Sequence, residues 1–274
     1  MQGVSRGSLA QVREKLDSVL SGAKLDAAAK QQVGEELFAV VAVLDGNAQL
    51  RRMLSDPAVD PGRRERLAAD LLAERLSAPT SEIVTSFVRA SWGKPKDLVD
   101  ATDELAAQAL FAMAEQVDTL DEVEDELFRF GRILDREPAL RRALTDPSLP
   151  AERKTELLAA LLGDKVQPAT LVLVREVVLR PRGRTIDRGL EEYGRLAAAR
   201  RERLVAQVRT AVPLSSAQHE RLRASLESRL GHPVALNVEL DPTLVGGVTV
   251  RVGDVLFDGS IAHRVSLARR VMTG

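Results

Sequence analysis

Apolar residues recur three and four positions apart through most of the chain, a spacing that predicts helices rather than strands. From Glu36 to Leu44 they are so dense that we expect a mostly buried helix. Leu67, Leu71 and Leu72 make a narrower stripe, typical of a helix with one face in the core. The first two hundred residues are therefore predicted to be mainly helical.

The helical pattern repeats after a shift of ninety positions, without a gap. The matches include apolar residues and also residues that end helices, because the residue before a proline avoids the helical region. Shared composition explains such ordered matches poorly, so we predict a duplicated helical bundle. The matched pairs include Glu36-Leu37-Phe38 with Glu126-Leu127-Phe128, Leu50-Arg51-Arg52 with Leu140-Arg141-Arg142, Asp56-Pro57 with Asp146-Pro147, and Leu71-Leu72 with Leu161-Leu162.

The two copies join through residues 97–130, which hold no glycine or proline. One long helix is possible there, but Thr119 followed by Glu122 has the spacing of a capping box and favours a break near Asp118-Thr119. We place the boundary between the copies near residue 105. The first helical-bundle domain then covers residues 1–105 and the second covers residues 106–204.

The last seventy residues change from helical spacing to alternation. Residues 204–209, 234–240 and 248–252 alternate apolar and polar positions, as half-buried strands do. Gly253-Asp254 is a two-residue turn of the kind that closes a hairpin, with residues 255–257 returning. Helices are expected up to Leu230 and again after Ser260. We therefore predict a mainly α protein, in which two tandem helical bundles precede a small α+β domain over residues 205–274.

Composition narrows the candidate functions. Apolar residues make up 45% of the chain, aromatic residues 3%, and the formal net charge is −1. The near-neutral charge gives no reason to expect a nucleic-acid partner. The absence of cysteine excludes disulfides and thiolate chemistry. We find neither a secretory signal nor an apolar run of roughly 18 residues, so membrane contact is expected only through a partner.

Charged and histidine-containing segments suggest no site of chemistry. The three histidines do not have a metal-binding spacing, and the acidic run from Glu115 to Glu126 lacks the glycine of a calcium loop. The basic stretch from Arg180 to Arg209 is interleaved with acids, and only Tyr193 could stack on a base. We interpret both runs as solvated helix faces and Trp92 as a core or groove-edge residue. No catalytic, cofactor or metal site is predicted.

The segment DPTLVGGVTVRVGDVLFDGSIAHRVSLARR, residues 241–270, resembles the C-terminal signature of delta subunits of bacterial ATP synthases. The mitochondrial counterpart is the oligomycin-sensitivity-conferral protein. The second helical copy resembles the family's N-terminal six-helix domain, so the usual pattern covers roughly residues 106–274. The first hundred residues depart from it. The residues of the signature are Gly246, Gly247, Gly253, Asp254, Asp258, Gly259 and Ser260.

This resemblance implies a non-catalytic stator subunit on the cytoplasmic face of the cell membrane, without cofactors. Its helical domain would bind N-terminal segments of α subunits, and its C-terminal region would hold the b-type stalk. The duplication further suggests a groove in each copy, and therefore two α N-termini. We assign b binding to one face of the last predicted helix, with Val265, Leu267, Ala268 and Met272.

Two other functions are compatible with parts of the pattern. A general scaffold that recognises helices in some other complex would need the helical bundles, but it would have no reason to carry the C-terminal signature. An enzyme would need acidic and basic groups that converge only in the folded chain. A deep polar pocket would be the sign of such an enzyme.

Overall fold

A computed structural model describes residues 3–22, 25–72, 75–201, 204–230, 234–241, 244, 247–252 and 255–258. The chain divides into two compact units, residues 1–201 and residues 202–274. The predicted fold class is confirmed, because the first unit is helical and the second combines helix and sheet.

The first unit is a bundle of helices joined by short connections. Asp26 caps α2 by accepting a hydrogen bond from the Ala29 N–H at 2.8 Å, and prolines occupy the first turns of α5, α6, α8 and α10. The helices are α1 (Val4–Gly22), α2 (Ala27–Gly46), α3 (Ala48–Ser55), α4 (Pro61–Leu72), α5 (Ala78–Arg89), α6 (Pro95–Gln116), α7 (Leu120–Arg136), α8 (Pro138–Thr145), α9 (Ala151–Leu162), α10 (Pro168–Leu179) and α11 (Ile186–Arg201).

The sequence repeat reappears in the positions of the helices. Helices α3, α4 and α5 begin and end ninety residues before α8, α9 and α10, and α2 ends ninety residues before α7. The shift also relates α1 to α6 and α6 to α11. Helix α6 is thus the counterpart of the first helix of one copy and of the last helix of the other.

A boundary near residue 105 falls inside α6, and the helices on both sides belong to the same compact unit. The division into two separate helical domains stays a prediction. The structure locates the helix that both copies would share.

Helix α6 is buried on all of its faces over its second half. Residues 105–114 are buried without interruption, which is nearly three turns of helix. Many of them are alanines, which let neighbouring helices approach closely. Helix α2 makes the most extensive packing against α6, and Gly34 lies where a Cβ would be 2.7 Å from Leu110 Cδ2. The apolar core of the two copies is consequently continuous.

The chain breaks after α6, as expected near Asp118-Thr119. The Thr119 N–H donates to the Ala114 carbonyl at 2.8 Å, and Asp118 has a φ of 58°. The expected capping box is wrong, because the Thr119 side chain makes no capping hydrogen bond to α7. Its hydroxyl lies 3.4 Å from the Ala114 carbonyl instead.

A half-buried carboxylate anchors the same helix junction in both copies. Glu36 on α2 accepts hydrogen bonds from the Ser77 N–H at 2.9 Å and the Ser77 hydroxyl at 2.7 Å, at the start of α5. Ninety residues later, Glu126 accepts from the Gln167 N–H at 2.9 Å and the Thr170 hydroxyl at 2.5 Å. A carboxylate satisfies free N–H groups at a helix start and interacts favourably with the helix dipole.

The second unit is a four-stranded sheet with one helix among its described residues. The strands are β1 (Leu204–Thr210), β2 (Val234–Leu240), β3 (Val248–Val252) and β4 (Val255–Asp258), in the order β2-β1-β3-β4. Strands β1 and β2 are parallel and are connected through α12 (Ser216–Leu230), while β3 pairs antiparallel with β1 and β4. A small core around Val208, Leu226 and Val250 holds the helix on the sheet.

Replacing Gly34 with alanine should destabilise the helical unit. The new Cβ would press on Leu110 and on the Ala106 carbonyl, and overpacking of this kind costs about 1–3 kcal/mol. The control is Gly194→Ala on α11, where a Cβ meets nothing within 4 Å. There the gain in helix propensity should stabilise the chain by about 0.5–1 kcal/mol. Urea unfolding followed by circular dichroism measures both, and equal stability of the two variants would contradict the close packing of α2 on α6.

Candidate interaction surfaces

The residues predicted to bind the b stalk, Val265, Leu267, Ala268 and Met272, lie outside the described residues. So do Gly246, Gly253, Asp254, Gly259 and Ser260 of the signature. Two signature residues are described. Gly247 has a φ of 87°, a conformation that suits glycine, and leads into β3, while Asp258 ends β4 opposite Thr249. The two ends of the predicted hairpin therefore lie at the same end of the sheet.

A groove with a mainly apolar lining opens between α7 and α11, and we call it the α7–α11 groove. Its volume is about 590 Å³. Phe128 stands at its edge with 68% of its surface exposed, and Gly131 and Gly194 contribute no side chain, one from each helix. The full lining is Glu124, Leu127, Phe128, Gly131, Arg132 and Asp135 from α7, and Asp187, Leu190, Glu191, Gly194, Arg195 and Ala198 from α11.

The first copy buries the surface that corresponds to this groove. Phe38, the counterpart of Phe128, is 2% exposed and packs edge-on against Tyr193, with ring centroids 6.3 Å apart. Gly34 and Val41 on the same stripe of α2 are buried as well. This stripe of α2 therefore offers no open counterpart of the α7–α11 groove, and the expected groove in the first copy stays a prediction.

A second, polar cavity of about 590 Å³ lies where α1, α6, α11 and the turn before α11 meet. Asp103 is at its centre: it accepts a hydrogen bond from the Tyr193 hydroxyl at 2.9 Å and forms ion pairs with Arg182 and Arg184. Arg182 is buried despite its charge, in a turn where its own φ is 51° and that of Gly183 is 75°. Glu104 pairs with Arg13 on α1.

Burial shifts the pKa of three ionisable side chains that line this cavity. Burial raises the pKa of the Tyr193 hydroxyl well above its usual range, and the negative charge of Asp103 adds to the effect. Burial also raises the pKa of Asp100 and of Glu104, against the opposing charges of Arg182 and Arg13 respectively. Acids and arginines are paired across the helices, and the cluster ties α1, α6 and α11 together.

The sequence interpretation missed this cluster. It treated the basic stretch from Arg180 as a solvated face, yet Arg182 is only 4% exposed and pairs with an acid on α6. Tyr193, considered as a residue that could stack on a base, is buried. The available signal was that Tyr193 and Asp103 are ninety positions apart, at equivalent places in the two copies. Trp92 is a core residue, with its indole N–H donating to the Phe87 carbonyl at 2.8 Å.

Membrane spans and metal clusters are both absent from the described residues. None of the helices described is long and apolar enough to cross a membrane. Within the same part of the chain, no group of three or more histidines, aspartates or glutamates is placed to hold a metal ion.

Comparison with known proteins gives a consistent match. The family model described as ATP synthase delta (OSCP) subunit matches residues 106–272. The chain is 46% identical to the ATP synthase subunit delta of Thermobifida fusca and 44% identical to that of Streptomyces griseus, in each case over 274 residues and the whole of both chains. These relatives therefore also carry the first hundred residues. A chain of the Toxoplasma gondii mitochondrial ATP synthase hexamer matches over 61% of this chain and 95% of its own length, at 19% identity and a TM-score of 0.28, too low to compare folds.

Alkaline titration should show that Tyr193 does not ionise while the protein is folded. It is the single tyrosine of the chain, so tyrosinate absorbance reports on it alone. Its pKa is raised in the folded state, so this group's contribution to stability is fully present below the ordinary tyrosine pKa of about 10 and is lost as the pH rises through the folded-state pKa. We expect tyrosinate absorbance to appear together with loss of the helical circular dichroism signal. Tyrosinate at about pH 10 with intact helices would show that Tyr193 is not buried against Asp103.

Proposed function

The chain belongs to the family of ATP synthase delta (OSCP) subunits, and from this premise we propose that it joins the α/β catalytic head to the membrane-anchored b subunits. It is a peripheral-stalk component and is not a catalytic subunit. The observation that carries the proposal is the family match over residues 106–272, which includes the signature around Gly247 and Asp258. We place its action on the cytoplasmic face of the cell membrane, with the membrane reached only through the complex.

The proposed task is mechanical. A turning rotor would drag the head with it unless a stator ties the head to the membrane, so the connection must be stiff and must dissociate slowly. The continuous apolar core of the helical unit supports this role, because α6 belongs to both copies and cannot shift without disturbing both. The ion pairs of Asp103 and Glu104 join α6 to its neighbours on two sides.

We propose that the helical unit receives the N-terminal segments of α subunits. A groove between two helices can accept an amphipathic helix with apolar anchors about one turn apart. The α7–α11 groove offers such a surface in the second copy, with Phe128 and Leu190 along it. The corresponding stripe on α2 is occupied by the protein's own helices, so a second α segment would need a different surface of the first copy.

We propose that the C-terminal unit receives the b stalk through the face that carries Val265, Leu267, Ala268 and Met272. The support is the family signature that leads into this segment. The sheet directly precedes this segment in the chain, since β4 ends at Asp258, just before Gly259-Ser260.

Replacing Val265 and Leu267 together with aspartate should remove b from the complex and leave the head contact intact. The measurement is a pull-down with tagged full-length protein from detergent-solubilised membranes, with the captured chains identified by mass spectrometry. We expect the unaltered protein to recover α, β and b, and the double variant to recover α and β with b reduced by about tenfold or more, as for loss of buried apolar anchors.

The control places two aspartates elsewhere in the same unit, at the exposed apolar residues Val212 and Leu240. This control should retain α, β and b. Retention of b by the Val265→Asp, Leu267→Asp variant would contradict the assignment of the b site. Failure of the unaltered protein to recover any of the three subunits would contradict the proposed function itself.

A further inference from the structure

The polar cavity between α1, α6 and α11 is lined by more basic side chains than acidic ones. Six basic and four acidic residues form its described lining. The basic residues come from three helices and from the turn before α11, so they surround the cavity on several sides. They are Arg13 on α1, Lys96 on α6, Arg182 and Arg184 in the turn, and Arg188 and Arg195 on α11, and the acidic residues are Asp100, Asp103, Glu104 and Glu192.

The acids of the cavity do not neutralise all of its positive charge. Each of the four forms an ion pair with an arginine of the same lining. Lys96 and Arg195, by contrast, form no ion pair within the part of the chain that the structure describes. Arg195 also borders the α7–α11 groove. The cavity therefore carries positive charge that is available to an anion.

Arg182 is a buried cation with unused hydrogen-bond donors. Its side chain is 4% exposed, its Nε makes no hydrogen bond among the described residues, and its Nη2 contacts Asp103 only as an ion pair. Its Nη1 lies 3.4 Å from the Val99 carbonyl and 3.5 Å from Asp100 Oδ1, at the limit for a hydrogen bond. Because a buried donor without an acceptor is costly, a charged acceptor beside Arg182 would stabilise the folded chain.

Two helices begin beside the cavity. Lys96 lies in the first turn of α6, which begins at Pro95, and Arg188 lies in the first turn of α11, which begins at Ile186. The positive ends of two helix dipoles therefore lie close to the cavity, and they favour an anion there. Gly183, in the turn before α11, has no side chain to fill the space.

The arrangement of donors favours a phosphate group over other anions. Phosphate has oxygens on all sides and accepts from arginine forks in several directions, whereas a carboxylate presents two oxygens in one plane. The volume of about 590 Å³ is large enough for such an anion. Among the described residues of the lining, the aromatic one is Tyr193, and its burial leaves no ring to stack on a nucleotide base.

We propose that the polar cavity binds a compact phosphate anion, such as orthophosphate or pyrophosphate. Lys96 and Arg195 supply charge that no acid of the cavity holds, and Arg182 supplies a buried donor. The anion joins α1, α6 and α11, because all three contribute basic residues, and its binding stabilises the helical unit. The site lies within one chain, so it does not depend on the partners proposed above.

Phosphate binding is measured by isothermal titration calorimetry on the full-length chain, at an ionic strength held constant with sodium chloride. We expect orthophosphate and pyrophosphate to bind at a single saturable site, with pyrophosphate bound more tightly because it carries more charge. ADP should bind no more tightly than pyrophosphate, since only its phosphate groups are recognised. Absence of saturable binding of either phosphate would overturn the proposal, and so would tighter binding of ADP than of pyrophosphate.

Lys96→Gln combined with Arg195→Gln removes two basic side chains without breaking the ion pairs of the cavity. We expect this variant to bind orthophosphate at least about tenfold more weakly, because it loses hydrogen bonds to a charged group. The matched control is Arg142→Gln combined with Lys165→Gln, which changes the net charge equally at exposed residues outside the cavity. The control should bind like the unaltered chain. Unchanged affinity in the first variant, or an equal loss in both, would overturn the site.

Tyr193 reports where the anion binds. The chain has one tyrosine and one tryptophan, and Tyr193 lines the cavity whereas Trp92 does not. In full-length protein with isotope-labelled tyrosine and tryptophan rings, we expect orthophosphate to shift the NMR signal of Tyr193 and to leave that of Trp92 in place. The shift should saturate at the affinity found by calorimetry. An unshifted Tyr193 signal at saturating orthophosphate would place the anion elsewhere and overturn the proposal.

Discussion

The helical unit depends on the burial of α6 on all of its faces. An ordinary amphipathic helix covers one face of a core and leaves the other in water. Residues 105–114 cannot do so, because they are almost entirely apolar, and the two copies pack around them from different sides. Alanines on α6 and Gly34 on α2 allow the helices to approach closely. The carboxylates of Asp103 and Glu104 on α6 form ion pairs with arginines. One shared helix thus makes one core from two repeats.

Sharing a helix also forces the two repeats to differ. The first copy is covered by the second, so its stripe on α2 is buried and has small or apolar residues at Gly34 and Val41. The corresponding stripe on α7 has a charged residue at Glu124 and remains open. The duplication therefore does not leave the same stripe exposed twice, since Phe38 is buried and Phe128 is exposed.

Local sequence predicted most of the secondary structure. The period of the apolar residues predicted helices in the regions of α2 and α4, although it did not predict α1. Alternation predicted β1 to β3, and the turn after β3 predicted β4. The lack of glycine and proline, together with the break at Asp118-Thr119, located the end of α6. Periodicity shows that a face is buried, but it does not show by which neighbour. For this reason the shared role of α6 could not be predicted, and neither could the different fates of Phe38 and Phe128, which stand in identical Glu-Leu-Phe triplets. The pairing of Tyr193 with Asp103 was not predicted either, because the apolar spacing along α11 does not show which helix its polar residues meet.

The measurement that tests the shared helix most directly is native-state hydrogen exchange of the full-length chain, read by mass spectrometry at increasing denaturant concentration. A core built around α6 predicts that the slowest amides of α2, α6 and α11 become exposed together, with the same free energy of opening and the same dependence on denaturant. Loss of protection in α1 to α5 while α7 to α11 remain protected would contradict it, and would show two helical domains that unfold independently.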